Sequence, residues 1–113
     1  MTDRVLEIRT YRLLPGTTAA FHEVFLEQAL PLLRTFGVDV LRGAPSERNE
    51  DGEECYVLLR AFDSLDQRDA QEERFYDSQQ WRDGPREPVL SRIESYHTVV
   101  LTVPDSVVEG LRG

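Results

Sequence analysis

The chain has 113 residues, which is enough for one domain with a single hydrophobic core and too few for two. Hydrophobic residues make up 40% and charged residues 30%, a balance that is typical of a globular protein and excludes a disordered chain. Twenty-one acidic residues against thirteen basic ones give a net charge of −8. Because such a surface repels phosphate groups, we expect no nucleic-acid or membrane partner.

Targeting and membrane-spanning patterns are absent from the sequence. A strand pattern starts at Val5, which leaves no room for a leader peptide, and the apolar runs are too short to cross a bilayer. Cys55 is the only cysteine, which excludes an internal disulfide and fits a reducing compartment. We therefore expect a cytoplasmic protein.

The first third of the chain predicts a strand followed by a long helix. The strand covers residues 5–14, and the helix runs from about Thr18 to Phe36 with Thr17 as its N-cap. Pro31 removes a helical hydrogen bond and is expected to kink the last turns. Gly37 is a natural residue to end the helix.

The middle of the chain predicts two antiparallel strands. Residues 38–46 form the second strand, with a bulge at Gly43, and residues 56–62 form the third. The charged loop between them contains Asp51-Gly52, a dipeptide that favours a hairpin turn.

The last part of the chain predicts helical segments and a final strand. A capping box at residues 64–67 opens a helix that ends near Asp77, and Gly84-Pro85 opens another short helical stretch. Residues 95–103 form the fourth strand. The tail, residues 106–111, is expected to add one helical turn that docks on the body or on a partner.

This element order predicts one α+β domain over residues 1–113. Four strands and two main helices in the order βαββαβ specify a ferredoxin-like antiparallel sheet with helices on one face. Neither face of the third and fourth strands shows the polar residues at alternate positions that a solvent-exposed face would carry. In the third strand, one face has Tyr56, Leu58 and Phe62 and the other Val57, Leu59 and Ala61; in the fourth, one face has Tyr96, Thr98 and Val100 and the other Val99, Leu101 and Val103. Because the two helices cover one face, we expect the other face to join a second chain in a homodimer.

Several segments resemble the NIPSNAP family. They are residues 7–16 (EIRTYRLLPG), 30–33 (LPLL), 61–65 (AFDSL) and 78–81 (SQQW), so the similarity covers nearly the whole chain. The resemblance implies a dimeric α/β barrel that binds ligands between the sheet and the helices of each subunit. The wider superfamily includes cofactor-independent monooxygenases, cyclases, lactone isomerases and haem enzymes, and fold analogy alone does not choose among these reactions.

Two arginines are the strongest candidates for a functional site. Arg9 and Arg60 each occupy the middle of a strand, and these two strands are neighbours at the centre of the predicted sheet. Family members often carry a tryptophan where this chain has Arg60. Buried guanidinium groups need anionic partners, which are either a carboxylate or enolate substrate or internal glutamates such as Glu7, Glu94 or Glu23.

The two histidines are candidates for acid–base catalysis. His22 falls at the edge of the apolar arc of the first helix, where it either faces a pocket as general base or is a boundary residue bonded to a backbone carbonyl. His97, which shares a strand face with Val99 and Leu101, is either an acid–base group or an interface residue.

Aromatic residues could line a pocket for a planar ligand, or they could simply form core. The candidate ligand-binding residues besides Arg9 are Tyr11, Phe25, Tyr56, Tyr76, Trp81 and Tyr96. The sequence contains no glycine-rich phosphate loop, no nucleophile elbow and no Cys or His pair at metal-ligand spacing. We therefore expect neither a metal nor a cofactor.

These observations leave two hypotheses. The first is a cofactor-independent enzyme of the isomerase, cyclase or monooxygenase type that acts on a small apolar or aromatic anionic metabolite, with Arg9 and Arg60 stabilising negative charge and His22 or His97 moving a proton. The second is a non-catalytic module that binds a ligand or another protein. A polar cavity that reaches His22 would favour the first, and a filled core with both arginines paired to glutamates would favour the second.

Overall fold

The computed structural model describes residues 2–113. The strands within this range are β1 (Asp3–Leu13), β2 (Asp39–Pro45), β3 (Cys55–Phe62) and β4 (Ile93–Pro104). The α-helices are α1 (Thr18–Val24), α2 (Leu30–Thr35), α3 (Leu65–Tyr76), α4 (Gln79–Asp83), α5 (Arg86–Leu90) and α6 (Asp105–Arg112), and a π-helical segment (Phe25–Ala29) connects α1 to α2.

The four strands form one antiparallel sheet in the order β2-β3-β1-β4. This order and the helices packed on the sheet confirm the predicted ferredoxin-like α+β fold. In the register of the central strands, Glu7 lies opposite Arg60 on β3 and opposite Val100 on β4. Since side chains alternate between the faces of a strand, Glu7, Arg9 and Tyr11 all point to the same side.

That side, which we call the helix face, carries the main core. Aromatic and aliphatic residues of α1 to α5 pack there on buried strand residues, with Phe21, Phe25, Leu33, Phe75, Trp81 and Val89 contributed by the helical segments. Gly37 ends the first helical region with a φ of +78°, in the left-handed conformation that glycine adopts without strain, as predicted.

The first helical region differs from the predicted continuous helix. Between α1 and α2 the backbone widens into the π-helical segment, where the N–H of Leu30 donates to the carbonyl of Phe25 five residues earlier. Pro31 lies in the first turn of α2, a position at which a missing N–H costs little. Thr17 precedes α1 as expected, but its hydroxyl donates back to the Leu14 carbonyl at 2.7 Å.

The bulge predicted at Gly43 is wrong in position. The strand register shifts between Val40 and Arg42, so that Leu41 is the extra residue. Gly43 pairs in register with Leu58, and a Cβ atom at this glycine would lie 2.6 Å from Cζ of Phe25. Glycine is therefore required here because the Phe25 ring packs directly on the strand backbone.

The face of the sheet opposite the helix face, which we call the second face, is partly covered by the chain itself. The tail forms the two-turn helix α6, whose Val108 is fully buried against Leu6, Leu41 and Ala61. The expectation that only a second chain could cover this face is therefore wrong for the end nearest α6. Farther along β4, Val99 and Leu101 stay 39% and 40% exposed.

Candidate functional site

A pocket of about 310 Å³ opens between the helix face of the sheet and the helices α3 to α5. Its lining combines one arginine, one glutamate, four aromatic rings and three aliphatic side chains: Arg9, Glu72, Tyr11, Tyr76, Trp81, Tyr96, Val89, Leu90 and Ile93. Tyr96 and Leu90, which are exposed, stand at its mouth, and Arg9 and Glu72 are mostly buried. Pockets of this size, apolar with a few polar groups, are usual for small-molecule sites.

Local sequence features place the lining residues. Arg9 and Tyr11 are two apart on β1 and so share the helix face. Glu72 and Tyr76 are four apart on α3, which is started by the predicted capping box, with the N–H of Gln67 donating to Ser64 Oγ at 3.0 Å. Ser78 caps α4 in the same way, accepting from the N–H of Trp81 at 3.2 Å, and this bond orients the Trp81 backbone.

A buried ion cluster lies beneath the pocket. Glu7, whose side chain is fully enclosed, accepts from Arg60 Nε at 2.7 Å through Oε1 and from Arg68 Nε at 2.7 Å through Oε2. Arg60 is also fully enclosed, and its Nη1 donates to the hydroxyl of Tyr76 at 3.2 Å. The glutamate alternative for Arg60 is thus what the structure shows, with Glu7 as the partner.

Arg9 is the arginine of this cluster that faces the pocket. Its Nε donates to Thr98 Oγ1 at 3.0 Å, its Nη1 to the Tyr76 hydroxyl at 3.2 Å, and its Nη2 to Glu72 Oε1 at 3.1 Å. The guanidinium carbon lies 5.4 Å from the centre of the Tyr96 ring, within cation–π range. A guanidinium has five N–H groups, so these three bonds leave one N–H on each terminal nitrogen for a ligand.

Positive charge exceeds negative charge in the buried part of the cluster. Three arginines, Arg9, Arg60 and Arg68, face two carboxyl groups, Glu7 and Glu72, which leaves an excess of one positive charge when both carboxyls are ionised. Asp69 also contacts Arg68, but water around this exposed residue screens its charge. An uncompensated buried charge is costly, so the cluster favours an added anion.

The two carboxyl groups titrate very differently. Burial raises the pKa of Glu7, but hydrogen bonding with Glu72 and the charges of Arg60 and Arg9 outweigh this effect and lower it to about 2. Burial also raises the pKa of Glu72, and its contact with the Glu7 carboxylate raises it further, to about 7, against the opposing charges of Arg60 and Arg9. Near neutral pH, Glu7 is therefore ionised, while Glu72 is present in both its protonated and its ionised form.

The lining hydroxyl of Tyr11 stays protonated. Burial, together with the nearby Tyr76 hydroxyl, raises the pKa of Tyr11 above its usual range. It is therefore available as a neutral hydrogen-bond donor.

Of the residues predicted from the sequence as site residues, the pocket brings together Arg9, Tyr11, Trp81 and Tyr96, along with the aromatic candidate Tyr76. Arg60 lies below the floor of the pocket and is sealed from it by its partners. Phe25 instead lines a small apolar cavity of about 30 Å³ next to the pocket.

His22 and Tyr56 form a separate pair outside the pocket. Nδ1 of His22 lies 2.6 Å from the Tyr56 hydroxyl. Burial raises the pKa of Tyr56, so its hydroxyl stays protonated in this hydrogen bond. Phe21 and Phe25 pack on the Tyr56 ring, which joins this pair to the aromatic core. A catalytic role for His22 stays a prediction.

His97 lies on the second face, away from the pocket. It borders an open depression of about 510 Å³ together with Thr10, Arg12 and residues of the loop before β3. The hydroxyl of Thr10, directly opposite on β1, donates to the carbonyl of His97 at 3.5 Å. The placement of His97 separates the two predicted acid–base histidines onto opposite sides of the sheet.

Glu72 is the pocket residue that sequence reasoning missed. It lies in a helix rich in charged residues, where acids are usually solvated. A usable signal was the spacing of Arg68, Glu72 and Tyr76, because residues four apart on a helix share one side. Among residues 2–113, no group of three or more His, Cys, Asp or Glu side chains could hold a metal ion.

The fold and this pocket define a ferredoxin-like α+β protein with a ligand-sized site between sheet and helices. The model of the NIPSNAP family matches residues 6–106. The chain belongs to the NIPSNAP family.

Solved structures agree with this assignment. A NIPSNAP domain protein from Burkholderia xenovorans is 25% identical, with a TM-score of 0.76 over 88% of this chain and 93% of the other. A NIPSNAP family protein from Agrobacterium tumefaciens is 16% identical, with a TM-score of 0.83 over 93% and 90%. A candidate antibiotic biosynthesis monooxygenase from Nitrosomonas europaea, 17% identical over 88% and 89%, has a TM-score of 0.61 and shares the fold. No curated protein matches the chain.

Proposed function

We propose that this protein binds a small planar anion in the pocket above the ion cluster. The carboxylate of the ligand would lie on the two available N–H groups of Arg9, and its apolar part between the rings of Tyr76, Trp81 and Tyr96. The observation that carries the proposal is the excess positive charge beneath an otherwise aromatic pocket. A ligand carboxylate would neutralise that excess.

The single tryptophan makes the proposal easy to test. Trp81 lines the pocket, so its fluorescence should change when the site fills. Titration with 3-phenylpropanoate should change the emission, while the matched neutral 3-phenylpropanamide should bind at least about tenfold more weakly, since it lacks the charge-assisted hydrogen bonds. Equal affinity for the two probes, or no response to either, would refute an anion site.

Arg9 and Arg12 provide a matched pair of variants. They lie on the same strand, but Arg12 faces the other side of the sheet, where it pairs with Asp51. Arg9→Met should weaken 3-phenylpropanoate binding about 10- to 100-fold, and Arg12→Met should leave it unchanged. If both variants bind alike, the anion does not lie on Arg9.

The geometry supports ligand binding more directly than catalysis by the histidines. His22 does not line the pocket, and Arg60 has Glu7 as its partner. These are the arrangements that favour a binding module over an enzyme with His22 as its base. Isomerase, cyclase or monooxygenase chemistry by this chain would need a different proton-transfer group.

We also propose that the protein is a homodimer joined through the second face. Val99 and Leu101 form an apolar strip on β4 with the half-buried Ile8 and Leu59 beside them. Such a contiguous patch favours a protein interface, and a second copy offers the same patch for pairing. Light scattering should give twice the chain mass of 13.0 kDa.

Two leucine-to-arginine variants test whether the dimer forms through the second face or whether any new surface charge disrupts it. Leu101→Arg places a charge within the apolar strip and should produce monomers. Leu65→Arg changes an exposed leucine at the start of α3, on the other side of the sheet, and should leave the dimer intact. A wild-type protein that scatters as a monomer at micromolar concentration would refute the dimer.

A cytoplasmic location stays part of the proposal. Within residues 2–113, no helix is long and apolar enough to cross a membrane. The lone Cys55 fits a reducing compartment. Fractionation of the native host with an antibody to the chain would test this location.

A further inference from the structure

One buried oxygen atom beside the pocket lacks a hydrogen bond. Among residues 2–113, Oε2 of Glu72 is enclosed and has no hydrogen-bond partner. It lies 3.0 Å from Nε of Arg68, but this nitrogen carries one hydrogen and donates it to Oε2 of Glu7 at 2.7 Å. Two carboxyl oxygens thus crowd around a single N–H group.

A proton between the two carboxyl groups resolves this arrangement. A buried carboxylate oxygen without a donor is costly, and two like charges in contact repel each other. If Oε2 of Glu72 carries a proton, it donates to the Glu7 carboxylate, and both penalties disappear. Glu7 keeps its own charge because Arg60 and Arg68 bind it directly. The exchangeable proton therefore belongs to Glu72.

The carboxyl group of Glu72 also lies next to the proposed ligand. Glu72 lines the pocket, and its Oε1 accepts from the same Arg9 Nη2 whose second N–H is available. A ligand oxygen bound to Arg9 would therefore bring the neighbouring carbon close to the Glu72 carboxyl group. The charged groups that surround Glu72 are Glu7 and Arg9 from β1, Arg60 from β3 and Arg68 from its own helix, with the Tyr76 hydroxyl close by.

We propose that Glu72 is a catalytic acid–base residue that enolises a small aromatic 2-oxo acid bound on Arg9. The inference rests on the anion site proposed above and adds a reaction to it. Glu7 acts as a positioning residue, because it holds the Glu72 proton without lining the pocket. Each part of this substrate matches one part of the site. Its carboxylate binds Arg9, its ring packs on the aromatic walls, and the carbon next to its carbonyl group carries the hydrogen that Glu72 removes.

The reaction transfers one proton and needs no oxidant. The ionised Glu72 carboxylate takes a proton from the carbon next to the carbonyl group, so that a C–H bond breaks and an O–H bond forms. The electron pair of the C–H bond forms a carbon–carbon double bond, and the carbonyl electron pair moves to oxygen. For a 2-oxo acid, the available N–H group on Nη1 of Arg9 holds a carboxylate oxygen, and the one on Nη2 stabilises the enolate oxygen. Return of the proton from Glu72 to carbon restores the ketone.

The titration of Glu72 suits this role. Its pKa of about 7 leaves both the ionised and the protonated form populated near neutral pH, which general acid–base catalysis requires. The total charge of cluster and ligand is the same before and after the transfer. Negative charge moves from Glu72 to the enolate oxygen, which the Arg9 guanidinium holds.

Exchange of carbon-bound hydrogen tests the proposal. The protein is incubated with phenylpyruvate in deuterated buffer, and the C3 methylene signal is followed by proton NMR. The wild type should speed the loss of this signal over buffer alone. Glu72→Gln should lower the protein-dependent rate about 100-fold or more while Trp81 fluorescence still reports binding. Glu73→Gln, a change at the exposed neighbouring residue, should leave both the exchange rate and the binding of phenylpyruvate unchanged.

The outcomes separate the two proposals. If phenylpyruvate binds and the wild type gives no exchange above buffer, the enolisation proposal is wrong and the anion site stands. If neither phenylpyruvate nor 3-phenylpropanoate binds, both fail. If Glu72→Gln exchanges at the wild-type rate, Glu72 is not the base.

A pH–rate profile of the wild type gives a test that does not depend on the folding of a variant. The protein-dependent rate should rise with pH and level off above an apparent pKa near 7. A flat profile would overturn the role of Glu72.

Discussion

The two faces of the sheet carry similar strand patterns in the sequence but have become different surfaces. On the helix face, the middle of β1 and β3 holds Glu7, Arg9 and Arg60, which meet charged partners from α3. On the second face, apolar residues such as Leu6 pack on α6 and others, such as Val99, remain exposed. Charged residues are therefore tolerated in a buried sheet where a packed helix supplies oppositely charged partners for them.

The largest loss of stability should follow the removal of a buried charge from the helix face. Arg60→Met removes a fully buried guanidinium and leaves Glu7 with one fewer cation, so the free energy of unfolding should fall by about 3–5 kcal/mol. Urea denaturation followed by circular dichroism measures this change. A loss below about 1 kcal/mol would mean that the ion cluster rearranges around the missing charge.

A change of intermediate size in the free energy of unfolding should come from the titration of Glu72 on the helix face. The pKa of Glu72 rises on folding from 4.5 to about 7, so between these values the folded protein holds a proton that the unfolded chain has released. Stability should therefore fall as pH rises from 4.5 to 7, by on the order of 2 kcal/mol. Denaturation of wild type and Glu72→Gln across this range tests it, since the variant should lose this decline. Parallel profiles would contradict the assignment.

Truncation of a buried side chain on the second face should cause the smallest loss of stability of the three changes. Val108→Ala leaves a small cavity between α6 and the sheet and should cost about 1–2 kcal/mol. Val107→Ala, the exposed neighbour on the same helix, should change stability by less than about 0.5 kcal/mol. Thermal unfolding of the pair measures how firmly α6 covers the sheet. Equal effects would show that Val108 contributes no more than surface valine.

Much of the fold could be predicted because its signals are local. The capping box at Ser64, the helix stop at Gly37 and the apolar runs in β3 and β4 each depend on a few neighbouring residues. The bulge was misplaced because Gly43 serves a distant contact, the Phe25 ring, that no local pattern reveals. The length of α6 was underestimated for a similar reason, since Val108 is buried by three separate strands.

The candidate site could be predicted only in part. Arg9 was identified because a charge in the middle of a central strand is unusual. Tyr11, Trp81 and Tyr96 were identified because aromatic side chains are suited to lining a pocket for a planar ligand, although the same side chains are equally common in a core. Glu72 could not be distinguished by composition from the other acids of α3. Its burial depends on the docking of that helix over β1 and β3.

The sequence by itself determined the βαββαβ order, the apolar character of both sheet faces and the anomaly of two arginines in central strands. These follow from periodicity and residue type, which act over short distances along the chain. Only the tertiary structure decided that Arg60 pairs with Glu7, that Arg9 faces a pocket and that Glu72 is buried beside that pocket. Partner choice and pKa depend on distances of a few ångströms between elements far apart in sequence, and packing alone sets those distances.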